Sequence, residues 1–464
     1  MFKQLRLTVA ISALIALPAA HAGVDLIAVD GLSASQSDLS AETAAPLENG
    51  VAGNLLGGLG SGIAYAGNGI FLALPDRGPN AVSYNAAVDD TTSYIDRFHT
   101  IRMTLAKSAP GSSLPFALTP VLTATTLLHT SDKLVYGDGV SAGLADGAPA
   151  LNATNATHYF TGRSDNFNPA HLSTQPLDAR MDPESIRVSN DGQSIFVSDE
   201  YGPYVYRFDR ATGLRTGKWT LPAKFAVTNL SAVGNDEIAD NTAGRVANKG
   251  MEGLAITPDG KFLVGAMQSP LIQDGATAAA CTRLVKIDLT TGLIKEYAYP
   301  LTNIGTASKP KYPTVSDIVA VNDHAFLVDE RDGKGFGDGS TAAFKMVYKI
   351  DLNGATPVGK VTGEAQLAPF AVAKTPFLDI VATLGSHGIA ATEIPAKLEG
   401  LAFGPDVVIA GVKKHTLFVA NDNDFIPTVT DSLHPSGAAN PNEFFVFAFG
   451  YNDLPGYQAQ QLTP

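Results

Sequence analysis

Paired short apolar runs recur along the chain, and polar residues enclose each pair. In one copy, residues 186–188 and 195–197 are rich in Ile and Val, and the turn 190–192 separates them. A glycine-containing turn between two such runs is typical of an antiparallel hairpin. The residue before the first strand of a hairpin and the residue after the second lie at the same open end. The pattern therefore predicts that Glu184 lies beside Glu200.

The same arrangement occurs four times, and a variant of it occurs once more. The copies join Glu184 to Asp199 and Glu200, Glu252 to Gln268, Asp317 to Asp329 and Glu330, and Glu399 to Asp422 and Asp424, while the variant joins Ser61 to Asp76 and Arg77. The four copies begin 65 to 82 residues apart. This interval is too long for a short solenoid repeat and suits a four-stranded blade with its loops. The repeat therefore predicts an all-β protein, a β-propeller formed by a single domain.

The expected number of blades is six, with seven and five as alternatives. Five hairpins are visible, and the 123 residues from Ser61 to Glu184 leave room for one weakly marked blade. Residues 24–29 and 444–449 have the pattern of a first and a last strand. Because propellers commonly close their ring with both chain ends, we expect these two strands to share one blade. Long segments with a helical period are not evident in the sequence.

If the first strand of each copy is innermost, the acidic ends form a ring of carboxylates at one mouth of the channel. Carboxylates gathered without paired His or Cys residues favour a hard, oxygen-liganded ion, and we expect Ca²⁺ before Mg²⁺ or Mn²⁺. A bound cation also relieves the repulsion between neighbouring carboxylates. The candidate metal ligands are Asp76, Asp199, Asp317, Asp329, Asp422 and Asp424.

The glutamates of the same ring are the candidate catalytic residues, because a carboxylate can take a proton from an attacking water. They are Glu184, Glu200, Glu252, Glu330 and Glu399. Arg77 and Arg331 adjoin acids of the ring and are candidate substrate-binding residues for a phosphate, with Lys249 as a third. The alternative for each acid is structural, since a carboxylate at a strand end can accept backbone N–H groups and join neighbouring blades.

The first 22 residues have the features of a secretory signal peptide. Lys3 and Arg6 precede a short apolar stretch, and Ala20-His21-Ala22 is a small-x-small cleavage site. We therefore expect residues 23–464 to form an exported protein without a membrane anchor, either periplasmic or secreted. The single cysteine, Cys281, excludes an intramolecular disulfide, and we expect it to be a buried, unreactive thiol.

The net charge of the chain disfavours some classes of binding partner. The chain carries a formal net charge of −13, which disfavours binding to nucleic acids and to anionic membranes. The expected partner is a small-molecule ester, and the expected state is a monomer. A G-x-S-x-G match centred on Ser141 leaves a serine-hydrolase alternative, although no helical pattern follows it as a nucleophile elbow requires.

Several motifs in this order and spacing resemble the bacterial phytase-like family, often described by the phrase "esterase-like activity of phytase". The matching stretches are Gly60-Ser61-Gly62 with Asp76-Arg77-Gly78, Asp182-Pro183-Glu184-Ser185-Ile186 with Asp199-Glu200-Tyr201-Gly202-Pro203, Asn248-Lys249-Gly250-Met251-Glu252-Gly253-Leu254, Asp329-Glu330-Arg331-Asp332, and Leu398-Glu399-Gly400-Leu401 with Asn421-Asp422-Asn423-Asp424-Phe425. The resemblance implies an exported, propeller-like protein whose acidic residues act on phosphoesters. One departure is Met267-Gln268-Ser269, which lacks the acidic pair at the end of its copy.

The carboxylate ring and the resemblance together favour an exported, metal-dependent phosphoester hydrolase. A calcium-dependent carboxylic-ester or lactone hydrolase on the same scaffold is the first alternative. A non-catalytic propeller that binds a ligand is the second.

Overall fold

A computed structural model describes residues 23–79, 92–139 and 143–463. Five antiparallel sheets surround a central channel, and the first strands of neighbouring blades contact one another around the ring. Blade 1 comprises Gly62–Tyr65, Ile70–Leu74, Arg97–Lys107 and Phe116–Leu127; blade 2 comprises Pro183–Val188, Ser194–Asp199, Tyr204–Asp209 and Arg215–Thr220; blade 3 comprises Met251–Ile256, Phe262–Met267, Cys281–Asp288 and Ile294–Pro300; blade 4 comprises Thr314–Ala320, Ala325–Arg331, Lys345–Asp351 and Lys374–Asp379. The prediction of an all-β propeller is confirmed.

Blade 5 is built from both ends of the described chain. Its strands, from the channel outwards, are Leu398–Phe403, Val412–Asn421, Asn442–Phe449 and Asp25–Leu32, and Val407–Ile409 pairs beside them. Asp25–Leu32 pairs antiparallel with Asn442–Phe449, which confirms that the first and last strands share a blade. The predicted signal peptide, residues 1–22, lies outside the described residues.

The structure has five blades, the smaller of the two alternatives to six. The interval before Glu184 does not hold a further blade, because Arg97–Lys107 and Phe116–Leu127 are long strands that complete blade 1. Most of the remaining chain up to Pro183 is irregular. It contains only the short pair His129–Thr130 and His158–Tyr159 and the helix Leu151–Asn155 among its described residues.

Other short elements lie between or beside the blades. The helices are Gly234–Ala239, Glu364–Leu367 and Ile380–Ser386, the 3₁₀ turns are Ala41–Thr43, Ala223–Phe225, Ile272–Asp274, Ala276–Ala278 and Ala368–Phe370, and Thr428–Val429 pairs with Ala438–Ala439. None of the helices in the described ranges has the length and apolar character needed to cross a membrane.

The inner and outer strands of a blade differ in burial. Every residue of Pro183–Val188 and of Met251–Ile256 is buried, because these inner strands are covered on both faces by neighbouring blades. The outer strand Arg215–Thr220 instead alternates between half-buried and exposed residues. Burial is therefore continuous along these inner strands and alternates along the outer edge.

Small residues let the inner strands approach one another at the channel axis. A Cβ atom at Gly62 would lie 2.8 Å from the Cα of Ser185, and one at Gly253 would lie 2.8 Å from the Cα of Asp317. Gly400 occupies the equivalent position of blade 5. Asp317 is thus the one large side chain of this five-residue layer, and it fills the axis.

Asp317 closes the channel below the acidic mouth through an extensive set of hydrogen bonds. Its carboxylate accepts from Arg187 Nη2 at 2.8 and 2.9 Å and from the Ser185 hydroxyl at 3.0 Å. The backbone N–H groups of Leu254, Ile318 and Leu401 donate to it as well, at 3.3, 2.8 and 2.8 Å. The ion pair and its hydrogen bonds therefore join blades 2, 3, 4 and 5 and form a floor.

The opposite mouth is covered by the last described residues. The N–H groups of Gln458, Gln461 and Thr463 donate to the carbonyl oxygens of Val321, Pro258 and Asn190, which belong to turns of three blades. Tyr457 packs against Phe403 and Phe449. The acidic mouth is consequently the open end of the channel.

Candidate functional site

A cavity of about 420 Å³ occupies the open mouth and is lined by residues from all five blades. The side chains that line it are mostly charged. They include Asp76, Arg77, Glu184, Glu200, Lys249, Glu252, Gln268, Lys311, Arg331, Asp332, Lys397, Glu399 and Asp422. The hairpin geometry inferred from the sequence therefore brings acids of four blades to one place.

The register of the inner two strands explains which side chains reach the cavity. Each blade contributes two positions. The first, on the inner strand, is the residue directly before the member of the small-residue layer at the axis. The second, on the next strand, lies two residues after the residue that is paired with that member. The first position is held by Ser61, Glu184, Glu252, Ser316 and Glu399, and the second by Asp76, Glu200, Gln268, Arg331 and Asp422. Side chains alternate between faces along a strand, so a shift of one residue removes a group from the site.

That shift explains why Asp317 is not part of the cavity. The sequence pattern aligned Asp317 with Glu184, but Ser316 occupies the equivalent position and Asp317 lies one residue further along its strand. Its oxygens are already saturated by Arg187 and by backbone donors. The expectation that Asp317 joins the carboxylate ring is therefore corrected to a position in the floor.

Asp76, Glu184, Glu200 and Glu252 of blades 1 to 3 line one side of the cavity. Asp182 lies beside them, and we call these five carboxylates the acid wall. Oxygen atoms of Asp76, Asp182 and Glu184 lie within 4.8 Å of one another, as do those of Glu184, Glu200 and Glu252. All five residues are buried, and Oε2 of Glu252 lacks a hydrogen-bond partner among the described residues. Clusters of this kind could hold a metal ion, and oxygen-only donors suit a hard divalent cation.

Carboxyl groups of the acid wall have pKa values above their ordinary values. Burial, followed by the charge of Glu252, raises the pKa of Glu184 well above its ordinary value. Burial and then the charge of Glu200 do the same to the pKa of Glu252. Burial and Asp182 raise the pKa of Glu200 to about 7, although Arg77 and Lys249 oppose the shift. Repulsion of this kind is relieved either by protons or by a cation.

The other side of the cavity, which we call the paired wall, consists of Arg331, Lys397, Glu399 and Asp422. Arg331 donates to Glu399, and Lys397 donates to Asp422 at 2.8 Å and also to Asp424. Burial opposes ionisation of Asp422, but Lys397 outweighs it and holds the pKa of Asp422 below its ordinary value. Burial raises the pKa of Glu399, with Arg331 and Lys397 opposing the shift. Each carboxylate here has a cationic partner from the chain itself.

Asp199, Asp329 and Glu330 do not line the cavity. Asp199 accepts the backbone N–H groups of Asp182 and Tyr201 at 3.1 and 3.0 Å and so shapes the turn after its strand. Glu330 accepts from the Tyr299 hydroxyl at 2.6 Å and from Lys374. Asp329 is fully buried, and neither of its oxygens has a hydrogen-bond partner in the described parts of the chain.

The sequence-based candidates omit Lys311 and Asp332 of the cavity lining, and they also omit two charged residues of the walls, Asp182 and Lys397. Each lies two residues before a glutamate of the first cavity-lining position, Glu184 and Glu399. Asp182 accepts from the Arg77 guanidinium at 2.6 Å, and Lys397 bridges Asp422 and Asp424. The period-two alternation of strand side chains was the available signal, because it places residues two apart on one face.

The remaining candidates contribute as neighbours of these groups. Lys249 donates to Oε1 of Gln268 at 2.9 Å, so the copy that lacks an acidic pair contributes an amide to the cavity instead. Cys281 is buried, and burial raises the pKa of its thiol to about 11, which agrees with an unreactive side chain. Ser141, the centre of the G-x-S-x-G match, lies outside the described residues.

The fold and the site define a five-bladed propeller with a carboxylate-lined open mouth. The family model "Phytase-like: Esterase-like activity of phytase" matches residues 54–425, a span that contains every residue of both walls. The chain belongs to this family.

The chain is similar to a protein from Arthroderma benhamiae that is described as an "Uncharacterized secreted protein". It is 30% identical over 259 residues, which cover 48% of this chain and 46% of the relative. The chain thus matches about half the length of that protein.

Two solved structures are similar to this chain at low sequence identity. The periplasmic gluconolactonase PpgL of Pseudomonas aeruginosa is 10% identical, with 92% of this chain and 99% of that chain covered and a TM-score of 0.34. The Malassezia sympodialis allergen Mala s 1 is 13% identical, with 84% and 77% covered and a TM-score of 0.31. At these values the likeness does not bear on the chemistry of the cavity.

Proposed function

We propose that the protein is an exported, metal-dependent phosphoester hydrolase whose active site is the cavity at the open mouth. The observation that carries the proposal is the acid wall, where buried carboxylates crowd together and Oε2 of Glu252 has no partner among the described residues. Membership of a phytase-like family supports phosphoesters as the substrate class. We expect the protein to act as a monomer on small molecules.

The acid wall fits a divalent cation, for which we favour Ca²⁺. Asp76, Asp182 and Glu184 offer one group of oxygen donors, and Glu184, Glu200 and Glu252 offer another. When bound, such an ion would supply Lewis acidity toward the phosphoryl group and toward water.

The cationic side chains of the cavity would bind and orient the phosphoryl group. Arg331 and Lys397 approach from the paired wall, while Arg77 and Lys249 adjoin the acid wall. Guanidinium groups suit this task because their planar N–H donors match two phosphate oxygens at once. The floor formed by Asp317 and Arg187 limits how deeply a substrate enters.

A carboxylate of the acid wall would manage the proton. As a water oxygen attacks phosphorus and the bond from phosphorus to the alcohol oxygen breaks, Glu200 takes the proton from the water. Its pKa is about 7 in the metal-free protein, and a cation bound beside it would lower that pKa and keep the carboxylate ionised as a base. The leaving alkoxide takes up a proton, either the one held by Glu200 or one from solvent water, and departs as the alcohol.

The family description itself names esterase-like activity, so a carboxylic ester or lactone is the second candidate substrate for the same cavity. The acid wall and the cationic side chains would then serve a carbonyl oxygen in place of a phosphoryl group. A propeller that only binds its ligand remains the outcome if no ester is cleaved.

The test is hydrolysis of a phosphate monoester, a phosphate diester, a short acyl ester and a lactone by the purified protein. Each is measured after chelation and again after addition of Ca²⁺, Mg²⁺ or Mn²⁺. We expect metal-restored phosphate release that falls at least about 100-fold in Glu184→Gln, since a ligand and a charge are lost together. Glu42→Gln changes an exposed acid outside the cavity and is the matched control.

Acyl-ester or lactone cleavage without phosphate release would move the assignment to the second candidate. Absence of hydrolysis with all four substrates would favour a propeller that only binds its ligand. Equal activities of Glu184→Gln and Glu42→Gln would remove the acid wall from the mechanism.

A further inference from the structure

A second, smaller cavity of about 160 Å³ adjoins the open mouth, and we call it the side pocket. It lies beside the helix Gly234–Ala239 and is lined by Arg77, Arg180, Glu237 and Arg245 among others. Arg77 and Asn248 line both the side pocket and the main cavity. The two spaces are therefore neighbours with a shared wall.

The charge of the side pocket is opposite to that of the main cavity. Its lining includes three arginines and one carboxylate, whereas the main cavity has seven carboxylates and five cationic side chains in the described residues. Glu237 accepts from Arg245 at 2.5 Å and from Arg180 at 3.3 Å, so one carboxylate serves two guanidinium groups. Arg77 is paired with Asp182, outside the pocket lining. A positive excess remains on a chain that is strongly acidic overall.

The guanidinium groups are fixed in place while keeping spare donors. Arg180 donates to the carbonyl oxygens of Ser164 and Ser231 and to Glu237, and its guanidinium stacks over Phe167 and Tyr201. Arg245 donates twice to the carbonyl oxygen of Tyr201 and once to Glu237. Each guanidinium has five N–H donors, so two on each remain without a partner in the described chain. Both arginines are at least nine-tenths buried.

We propose that the side pocket binds a second phosphate or carboxylate group of the substrate. Prepositioned guanidinium groups with unused N–H donors recognise such groups by paired, charge-assisted hydrogen bonds. The volume accommodates one group of this size. The natural substrate is then an ester that carries at least two anionic groups, one at the acid wall and one in the side pocket. The binding claim stands on the pocket alone, and the substrate claim rests on the proposed function.

The first experiment titrates inorganic phosphate into the protein by calorimetry in the presence of a chelator. Without a divalent cation the main cavity repels anions, so the heat reports on the side pocket. We expect Arg245→Gln to weaken binding by about tenfold or more, since a charged hydrogen-bonding group is lost. Asn235 is exposed at the pocket lining. We expect Asn235→Asp, which adds one negative charge there, to weaken binding about threefold to fivefold.

Asn235→Asp guards against a folding artefact, because an acid in the first turn of a helix is favourable to the helix. Gln193→Glu makes the same charge change on the exposed turn at the other end of blade 2 and is expected to bind phosphate like the parent protein. Absence of phosphate binding in chelator would overturn the proposal. Equal binding by the Asn235→Asp and Gln193→Glu proteins would overturn it too.

The second experiment compares KM for a bisphosphorylated sugar and for its monophosphorylated counterpart in the metal-loaded protein. A lower KM for the bisphosphate, with a ratio that shrinks in Asn235→Asp, supports a substrate with two anionic groups. Equal KM values would overturn the substrate claim. If neither sugar is hydrolysed the proposed function fails, and the phosphate titration still decides whether the side pocket binds anions.

Discussion

The two walls of the open mouth contain similar residues but solve the problem of buried charge differently. On the paired wall, Arg331 and Lys397 neutralise Glu399 and Asp422 from within the chain. On the acid wall, Glu184, Glu200 and Glu252 face one another, and their pKa values are raised mainly by burial. A carboxylate with an internal partner contributes to the fold, whereas one without a partner is available to a ligand. Within a single ring of carboxylates, this difference distinguishes residues that stabilise the fold from residues that are candidates for binding a ligand.

The largest effect should come from the floor, where internal pairing is most complete. Asp317→Ala leaves Arg187 buried without its carboxylate and removes acceptors from three backbone N–H groups. We expect the free energy of unfolding to fall by about 3–5 kcal/mol, as measured by urea denaturation.

The matched control for the floor is Asp329→Asn in the same blade. Asp329 is equally buried, but its oxygens have no partner among the described residues, and burial raises its pKa well above the ordinary value. Replacing this unpaired carboxyl by an amide of similar size should cost little or no stability. Similar losses for both variants would show that hydrogen bonding does not distinguish these two acids.

An intermediate effect is expected from divalent cations, which should stabilise the protein through the acid wall alone. A cation at about 100 times its Kd adds about 2.7 kcal/mol to the free energy of unfolding. Glu252→Gln should lose most of this gain, because it removes a donor of the acid wall. Glu399→Gln should keep it, because Glu399 is already paired with Arg331. Thermal unfolding with and without Ca²⁺ measures the difference.

The cation-free proteins provide the check on this comparison. In chelator, Glu252→Gln should unfold at the same temperature as the parent protein or higher, since an unpaired buried carboxyl is replaced by a neutral amide. If Ca²⁺ stabilises the Glu252→Gln and Glu399→Gln proteins equally, the ion binds elsewhere and the distinction between the two walls is wrong.

The hairpin pattern predicted the fold well because each blade is a local unit whose two inner strands are close in sequence. It also brought Glu184, Glu252 and Glu399 to one mouth. The blade number was harder, since the long strands Arg97–Lys107 and Phe116–Leu127 and the irregular chain after them have no distinct hairpin signal. Asp317 was misplaced because a register difference of one residue is invisible in a pattern that only marks acids before apolar runs. The side pocket depends on contacts between loops distant in sequence, such as Arg180 with Glu237, which no local pattern encodes.

The last effect is a dependence of cation binding on pH. Glu200 has a pKa of about 7 in the folded protein against an ordinary value of 4.5, and the pKa values of Glu184 and Glu252 are raised as well. Between these limits the folded protein holds protons that the unfolded chain has released. In chelator, the free energy of unfolding should therefore fall as pH rises from about 4.5 to about 7.

A cation must displace the same protons, so its affinity should rise over that interval. For each proton displaced, the gain is about tenfold per pH unit, and the contribution of Glu200 should level off above about pH 7. Calorimetric titration of Ca²⁺ at pH 5, 6, 7 and 8 measures the affinity, and buffers of different ionisation enthalpy report the protons released. On the paired wall Lys397 already holds the pKa of Asp422 below its ordinary value, so a cation held by Asp422 would show little dependence above pH 5. A flat affinity from pH 5 to 7 would thus move the ion from the acid wall to the paired wall, and a rising one would keep it among Glu184, Glu200 and Glu252.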